Sequence, residues 1–261
     1  RLSLCEGASQ IPSDVVVKSS NHQIAKSSNE VASLGISQHP VDMAPVELLA
    51  KRLGVTPMSL FLSAAYYTVS RFVNNKQVYL GTISNGRSNL RIYNTTGMFV
   101  NTLALSSEIK DQTVSEYIKE TAQNFADTIT HEQYPFAQIS ADYGFKPEIV
   151  FEYQVGVIAD NEVRGEKVAI KELHLDLAKF KIKIAVQDGA DGGHNIVVGY
   201  DTTLYSPSLA DTLAESLCAV CEHFAAQPEA LVKNISIMSQ AQKEAVEKLH
   251  TVGTAPLDYK L

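Results

Sequence analysis

The 261-residue sequence lacks the features that would place it on a nucleic acid or in a membrane. It has no cluster of Lys and Arg, and 29 acidic residues against 22 basic ones give a net charge of -7. Nucleic-acid-binding surfaces are basic, so that class of partner is excluded. The longest apolar runs, such as MSLFLSAAYYTV, are too short and too polar to span a bilayer. No apolar signal segment follows Arg1, so we expect a chain that is not secreted and that is an excised or processed piece.

Cysteine is scarce, and its three residues are scattered along the chain. This spacing is no disulfide framework, which favours a reducing, cytoplasmic location. Cys218 and Cys221 form a Cys-x-x-Cys pair, but they lie deep inside a helical pattern. A redox pair needs the start of a helix, where the dipole lowers the thiol pKa, and no second pair completes a zinc site. We therefore predict that both thiols pack in the core.

Signatures of common catalytic sites are also missing. GADGG at 189–193 lies between two strand patterns, whereas a phosphate-binding loop joins a strand to a helix. HLD at 174–176 offers only two ligands on one face of a strand, so the sequence predicts no metal site. No Ser lies in a Gly-x-Ser-x-Gly motif, and no histidine can be assigned as a base. We expect no metal and no catalytic residue.

Helical patterns and their boundary signals recur along the chain. One helix covers 46–53 and is closed by Gly54. The next is capped by Thr56 with Pro57 at its first position, and its sequence MSLFLSAAYYTVSRF is apolar on nearly all sides, which predicts deep burial. Further helices are predicted from near Thr113, over 134–143, from Pro207 to Phe224 and over 240–250.

Strand patterns alternate with these helices. They cover 78–84, 97–105, 147–158, 168–176, 179–187 and 195–201, with a short strand in the linker 226–239. KFKIKIAVQ at 179–187 alternates cleanly, which predicts a half-exposed antiparallel strand that GADGG joins to the next by a hairpin. The fold class is therefore α/β, with a mixed, largely antiparallel sheet flanked by helices.

The run GMFVNTLAL at 97–105 reads as a buried strand, yet it has Asn101 and Thr102 at its centre. Alternation puts Asn101 on one face with Phe99 and Leu103. An amide on such a face could line a substrate tunnel, or it could satisfy a backbone group at a strand edge or bulge. Both readings stay open.

Four ordered segments resemble the condensation domains of nonribosomal peptide synthetases. GTISNGR resembles the family's strand ending in a Gly-Arg loop, and TGMFVNTLAL its Gly-x-Phe-Val-Asn-Thr strand. HEQYPFAQI resembles its His-x-x-x-Pro-Phe helix opening, and PEIVFEYQ the strand that follows. GVTPMSLFLSAAYYTVSRF upstream and VVGYDTTLYSPSLADTLAESL downstream extend the resemblance from about Leu48 to Leu249.

The resemblance implies a chloramphenicol acetyltransferase-like fold in which two related lobes share one chain. The family's catalytic motif, His-His-x-x-x-Asp-Gly, belongs to the N-terminal lobe and is absent from this sequence. The chain therefore resembles the C-terminal lobe alone, and we expect it to be inactive when isolated. On this reading 1–40 is the interlobe connector, 41–228 the lobe, and 229–261 a linker toward an adenylation domain.

The family's reaction joins aminoacyl and peptidyl groups by an amide bond, and this lobe would form one wall of the substrate tunnel. The resemblance points to seven wall residues: Gly86, Arg87, Gly97, Phe99, Asn101, Tyr153 and Gln154. Gly86 and Arg87 shape either a loop below the active site or a plain turn with a solvated Arg. Tyr153 and Gln154 point to opposite faces of one strand, and His131 is interpreted as a structural residue at a helix start. Lys181 stands where the family often has an acid, which weakens any lobe-bridging ion pair there.

The partners implied by the resemblance are the N-terminal lobe, an adjacent adenylation domain and carrier proteins. The carrier proteins bring phosphopantetheine arms, and no cofactor is held by the chain itself. Three alternatives remain open: an epimerisation or heterocyclisation relative, a non-catalytic module that docks a carrier protein, and a lobe that associates with itself.

Overall fold

The computed structural model describes residues 9–14, 32–156, 162–163, 166–167, 177–189 and 192–252. The helices are α1 (Met43–Leu53), α2 (Pro57–Phe72), α3 (Val114–Thr130), α4 (Phe136–Tyr143), α5 (Pro207–Ala226) and α6 (Gln240–Val252). The strands are β1 (Leu34–Val41), β2 (Gln77–Ser84), β3 (Asn101–Glu108), β4 (Ile149–Gln154), β5 (Glu162–Val163), β6 (Glu166–Lys167), β7 (Ile182–Asp188) and β8 (His194–Asp201). The predicted strand at 168–176, with HLD, and most of the connector 1–40 lie outside the described residues.

Six of the strands form one mixed sheet in the order β1-β8-β7-β4-β2-β3. Antiparallel pairs join β1 to β8, β8 to β7 and β2 to β3, whereas β4 is parallel to both of its neighbours, β7 and β2. The predicted fold class, a mixed and largely antiparallel sheet flanked by helices, is confirmed. Within the part of the chain that the structure describes, β5 and β6 pair only with each other.

The main core lies between one face of this sheet and the helices α1, α2, α3 and α5. The predicted burial of α2 is confirmed, because every residue from Ser59 to Ser70 is buried. The Tyr67 hydroxyl donates to the Ile235 carbonyl at 2.5 Å, which ties α2 to the segment after α5. On the second face of the sheet, a small cluster around Ile139 and Phe145 packs near β2 and β3.

The helix boundaries follow the signals in the sequence. Thr56 accepts a hydrogen bond from the Ser59 amide at the start of α2, and Gly54 ends α1 with a left-handed φ of 71°. α1 begins slightly earlier than predicted, because Asp42 accepts from the Ala44 amide and caps it. In the described part of the chain, no helix combines the length and apolarity that crossing a bilayer requires.

The Cys-x-x-Cys pair packs on the core, as predicted. Cys221 is buried and Cys218 is partly buried against the same cluster. Burial raises the pKa of Cys218 to about 12 and raises the pKa of Cys221 as well. A thiol with a raised pKa is a poor nucleophile at neutral pH.

Three predicted elements differ from the structure. β7 is antiparallel to β8, as predicted, but it is not half-exposed: it lies inside the sheet, parallel to β4 on its other side, and Ile182, Ile184, Ala185 and Val186 are all buried. Its apparent alternation comes from Lys183 and Gln187, which are partly exposed on the second face. The linker 226–239 forms a 3₁₀ turn at Val232–Asn234 where a strand was predicted.

The third difference concerns GMFVNTLAL, in which strand pairing begins only at Asn101. Met98 is 89% exposed and Val100 is 52% exposed, so the first part of the run is a surface loop and not a buried strand. From Asn101 onward the alternation holds: Leu103 and Leu105 are both buried, and Leu105 belongs to the main core.

Candidate functional site

The predicted wall residues lie at one end of the sheet, where β2 and β4 finish. Gly86, Arg87, Gly97 and Phe99 lie in the loop 85–100, which connects β2 to β3, and Asn101 opens β3. Tyr153 and Gln154 lie at the end of β4, which is parallel to β2 at the pair Thr82–Phe151. Because β2 and β4 are parallel neighbours, their carboxyl ends lie side by side at one end of the sheet. The two groups of residues are therefore near each other.

Arg87 holds the loop 85–100 in shape. Its guanidinium lies 4.7 Å from the centre of the Phe99 ring and donates to four backbone carbonyls at 2.7–3.2 Å. Those carbonyls belong to Ile92, Tyr93, Thr95 and Gly97. The reading of a plain turn with a solvated Arg is therefore wrong, because both terminal nitrogens of the guanidinium are bonded to carbonyls of the loop itself.

Gly86 makes the tight start of this loop possible. Its φ is 66°, in the left-handed region that side chains disfavour. A Cβ atom at this position would lie 2.0 Å from the Phe99 carbonyl oxygen. The two ends of the loop can approach this closely only because residue 86 has no side chain.

Glu132 is a site residue that sequence reasoning missed. It is only 4% exposed, just beyond the end of α3. Its carboxylate accepts from the Ser84 hydroxyl at 2.5 Å, from the Ser88 amide at 3.1 Å and from the Ser88 hydroxyl. Burial alone would raise the pKa of Glu132, but these hydrogen bonds outweigh it and hold the pKa below its usual value. The only available signal was its place in HEQYPF, next to a family marker.

Asn101 uses its amide on backbone groups. Its Nδ2 donates to the Glu132 carbonyl at 2.8 Å and to the Tyr134 carbonyl at 2.9 Å, and its Oδ1 accepts from the Thr102 amide at 3.0 Å. These contacts fasten β3 to the turn between α3 and α4. Asn101 is partly exposed, and its role in a tunnel stays a prediction.

His131 does not start a helix, so that interpretation is wrong. It is the residue at which α3 ends, whereas α4 begins at Phe136 behind Pro135. Its side chain is exposed. Pro135 lies just before α4, where its missing N–H does no harm, because the first amides of a helix have no partner within the helix.

Tyr153 and Gln154 point to opposite faces, as predicted. The Tyr153 ring lies 6.1 Å from the Phe61 ring in the helix layer, and partial burial raises the pKa of its hydroxyl. Gln154 lies on the second face, where its Nε2 donates to Glu152 at 3.1 Å. The Lys183 Nζ lies 3.9 Å from the same carboxylate. The second face of β4 and β7 therefore carries amide, carboxylate and ammonium groups side by side.

Lys181 has its own partner within the chain. Its Nζ donates to the Glu148 carboxylate at 2.6 Å. Both residues flank the sheet at the starts of β4 and β7. A lobe-bridging ion pair at Lys181 would have to compete with this contact.

The arrangement can orient and hydrogen-bond a ligand, but it offers no nucleophile with an activating base. In the described residues, no histidine side chain is hydrogen-bonded to a Ser hydroxyl or a Cys thiol. The same residues contain no group of three His, Cys, Asp or Glu that could hold a metal ion.

Comparison with protein families gives one match over most of the chain, residues 2–247, to a model described as Condensation domain. Surfactin synthase subunit 1 of Bacillus subtilis (strain 168) is 27% identical over 217 residues, which are 80% of this chain and 6% of that protein. Bacitracin synthase 1 of Bacillus licheniformis is 25% identical over 207 residues, 76% of this chain and 4% of that protein. The chain thus spans a small fraction of the length of these relatives.

Solved structures share the fold at lower identity. A four-domain nonribosomal peptide synthetase bound to AMP and glycine matches 91% of this chain and 19% of its own, with a TM-score of 0.73 and 19% identity. The X-domain from teicoplanin biosynthesis matches 91% of this chain and 55% of its own, with a TM-score of 0.72 and 15% identity. The condensation domain of the Monacolin K polyketide synthase matches 87% and 55%, with a TM-score of 0.66 and 15% identity.

Proposed function

Because the chain belongs to the condensation-domain family, we propose that it is part of a domain that joins two carrier-bound acyl groups through an amide bond. In that step the amine nitrogen of one aminoacyl thioester attacks the thioester carbonyl of the other group. A C–N bond forms, the C–S bond breaks, and the amine proton leaves as the phosphopantetheine thiol is released. The family match over residues 2–247 is the observation that carries this proposal.

We propose further that the chain is the C-terminal lobe of such a domain. The predicted connector 1–40 would then end before β1 and the predicted linker 229–261, toward an adenylation domain, would begin only after Ile235, because β1, Val232 and Ile235 belong to the lobe. Two observations support this division. The sequence has no His-His-x-x-x-Asp-Gly motif, and it spans 55% of the X-domain chain, about what one of two lobes would cover. The base or amine-positioning histidine would then come from the N-terminal lobe.

The end of the sheet that carries loop 85–100 suits one wall of a tunnel, opposite the wall that the N-terminal lobe would form. Arg87 and Glu132 hold the loop rigidly, and Glu152 and Gln154 present polar groups on the second face beside it. Joining two tethered substrates depends above all on proximity and orientation. A rigid wall with a few fixed hydrogen-bonding groups would position the pantetheine arms without taking part in proton transfer.

Loop 85–100 also carries an unusual exposed patch. Four of its apolar residues face outward: Leu90, Tyr93, Met98 and Val100. Leu90 and Met98 are each 89% exposed, although the loop beneath them is tightly hydrogen-bonded. An ordered apolar patch is typical of an interface, and we assign it to the N-terminal lobe. Self-association of the isolated lobe through the same patch is the competing outcome, and light scattering would reveal it as a dimer.

The proposal is tested by product formation. The chain, preceded by a lobe that carries His-His-x-x-x-Asp-Gly, is mixed with two carrier proteins loaded with different amino acids, and the carriers are analysed by mass spectrometry. We expect a dipeptidyl carrier from the two-lobe protein and none when the second histidine of the motif is replaced by alanine. Carrier binding without any product from the two-lobe protein would contradict amide formation and favour a docking module.

A further inference from the structure

β3 ends the sheet with backbone groups that no described residue pairs. The Ile109 amide donates to the Lys76 carbonyl at 2.9 Å, in the register that β2 and β3 share. Because hydrogen-bonded pairs alternate in an antiparallel ladder, Leu103, Leu105 and Ser107 also bond β2. The amides and carbonyls of Ala104 and Ser106 must then point away from the sheet.

One end of this edge is already closed. The outward amide of Thr102 donates to the Asn101 side chain at 3.0 Å, so the asparagine takes the place of a neighbouring strand there. Beyond Thr102, among the described residues, no hydrogen bond is formed by the outward groups of Ala104 and Ser106. The strand NTLALSSE also contains no Pro, Lys or Arg, the residues that usually protect an exposed edge from pairing.

The open edge faces a cleft of about 1080 Å³ that follows β3 from Leu103 to Glu108. On the side of the helix layer its wall is formed by Leu62, Tyr66 and Phe125. On the side of α4 it is formed by Tyr79, Ile139 and Tyr143. An added strand places successive side chains on alternate sides of the sheet. One row would pack on the apolar wall near α4, and the other row would meet Asn124 and Thr128 as well as Phe125 on α3.

The floor of the cleft has a buried hydroxyl that is poorly paired. Thr121 is 3% exposed and lines the cleft, and among the described residues its hydroxyl has at most a marginal contact with the Tyr117 hydroxyl. The Tyr117 hydroxyl itself pairs with Ser107 at 3.0 Å. A buried hydroxyl left unpaired is costly, and a ligand carbonyl at this depth would satisfy it.

The charges at the rim select the partner. Among the described residues, three carboxylates line the cleft, those of Glu108, Glu120 and Asp127, against the single ammonium of Lys110. Lys110 is bound to Glu120 at 2.5 Å, whereas Glu108 forms no ion pair among the described residues. The end of the cleft near Glu108 therefore favours a cation.

We propose that the outer edge of β3 binds an extended polypeptide segment of a partner protein, with apolar residues at alternate positions and a Lys or Arg near Glu108. The segment adds a strand to the sheet by bonding the outward groups of Ala104 and Ser106. A second copy of the chain does not suit the cleft. If its β3 paired with this edge, its helices α3 and α4 would run into the α3 and α4 that flank the edge in the first copy. This site is independent of the proposed amide formation.

The probe is an acetylated and amidated hexapeptide of alternating valine and threonine that ends in lysine. It is titrated into the ¹⁵N-labelled chain and followed by NMR. We expect the amides of Ala104 and Ser106 to shift and to exchange more slowly with solvent. The same peptide with alternate backbone nitrogens methylated should bind about tenfold more weakly, because it loses the donors for the edge. A glutamate in place of its lysine should also weaken binding.

Ser106→Pro tests the edge from the side of the protein. It removes an outward amide and leaves the bonds to β2 intact, which an edge strand tolerates. We expect about tenfold weaker binding, with Ser106→Ala as the matched control that binds as the unaltered chain does. If the proline variant does not fold, the methylated peptide on the unaltered chain decides the matter.

Three results would overturn the proposal. One is equal binding of the methylated and unmethylated peptides, and another is the absence of any shift at about 1 mM peptide. The third is a dimer of the chain in which the amides of Ala104 and Ser106 are protected without peptide, because the edge would then be occupied by a second copy.

Discussion

Replacing Glu132 tests how the site is held together. Its carboxylate is the shared acceptor for Ser84 before the loop and Ser88 within it. Glu132→Ala leaves the buried Ser84 hydroxyl and the Ser88 amide without their charged acceptor, whereas the hydroxyl of the exposed Ser88 can bond to water instead. At about 1.5 kcal/mol for each of these hydrogen bonds, we expect the free energy of unfolding to fall by about 3 kcal/mol. Glu132→Gln keeps one oxygen and should cost about half as much, roughly 1.5 kcal/mol.

The assay is urea unfolding followed by circular dichroism, with Glu47→Gln as the matched control. Glu47 is exposed on α1 and forms no hydrogen bond or ion pair among the described residues, so its replacement should change the unfolding free energy by no more than about 0.5 kcal/mol. A Glu132→Gln variant as stable as the unaltered chain at pH 7 would refute the reasoning.

The pH dependence of this stability difference has a defined direction. Hydrogen bonds from the two serines hold the pKa of Glu132 below 4.5, its ordinary value. A carboxylate with a lowered pKa in the folded state stabilises the fold above the unfolded pKa and loses that contribution as pH falls through the folded pKa. The stability difference between the unaltered chain and Glu132→Gln should therefore be constant above about pH 5.5 and shrink below pH 4.5. A difference that grows on acidification would contradict the account.

Three further substitutions or modifications have defined outcomes. Gly86→Ala should lower the unfolding free energy by about 3 kcal/mol, because it combines left-handed strain with a clash against the Phe99 carbonyl. Arg87→Lys should make chymotryptic cleavage of the loop after β2 about tenfold faster, because an ammonium cannot bond four carbonyls at once. Iodoacetamide at pH 8 should leave Cys218 and Cys221 unmodified in the folded chain and alkylate both in urea, since burial raises both thiol pKa values.

Controls make these outcomes specific. Gly192→Ala has a left-handed φ of 82° but nothing within 4 Å of its Cβ position, so it reports backbone strain without a clash. If it costs as much as Gly86→Ala, the contact with Phe99 is not the cause. An unchanged chymotryptic cleavage rate for Arg87→Lys would show that the loop does not depend on the guanidinium fork. Alkylation of either thiol in the folded chain would contradict its burial.

Local signals in the sequence predicted most of the fold. The apolar helix α2, its Thr56 cap and the Gly54 stop depend on neighbouring residues and appear as predicted. The parallel pairing of β7 with β4 could not be read in the same way, because the alternation in a strand does not reveal which strand lies beside it. Alternation alone also cannot distinguish a half-exposed strand from a central strand that has polar side chains on its second face.

The candidate site was predicted only in part, for a similar reason. Gly86, Arg87 and Asn101 are marked by the family motif, but their contacts join segments far apart in sequence. Ser84 meets Glu132 across 48 positions, and Asn101 reaches the carbonyl of the same residue across 31. No spacing rule connects such positions, so Glu132 was missed. The exposed start of GMFVNTLAL was mispredicted because Arg87 draws that backbone into the loop and away from β2.

Complementation between lobes tests the central claim most directly. The chain is mixed with a separately produced N-terminal lobe that carries His-His-x-x-x-Asp-Gly and with two loaded carrier proteins. The rate of dipeptidyl carrier formation is then measured by mass spectrometry. The account predicts no product with either lobe alone, product when both are present, and loss of that product when Met98→Asp places a charge in the exposed patch of loop 85–100. Product formed by this chain alone would contradict it.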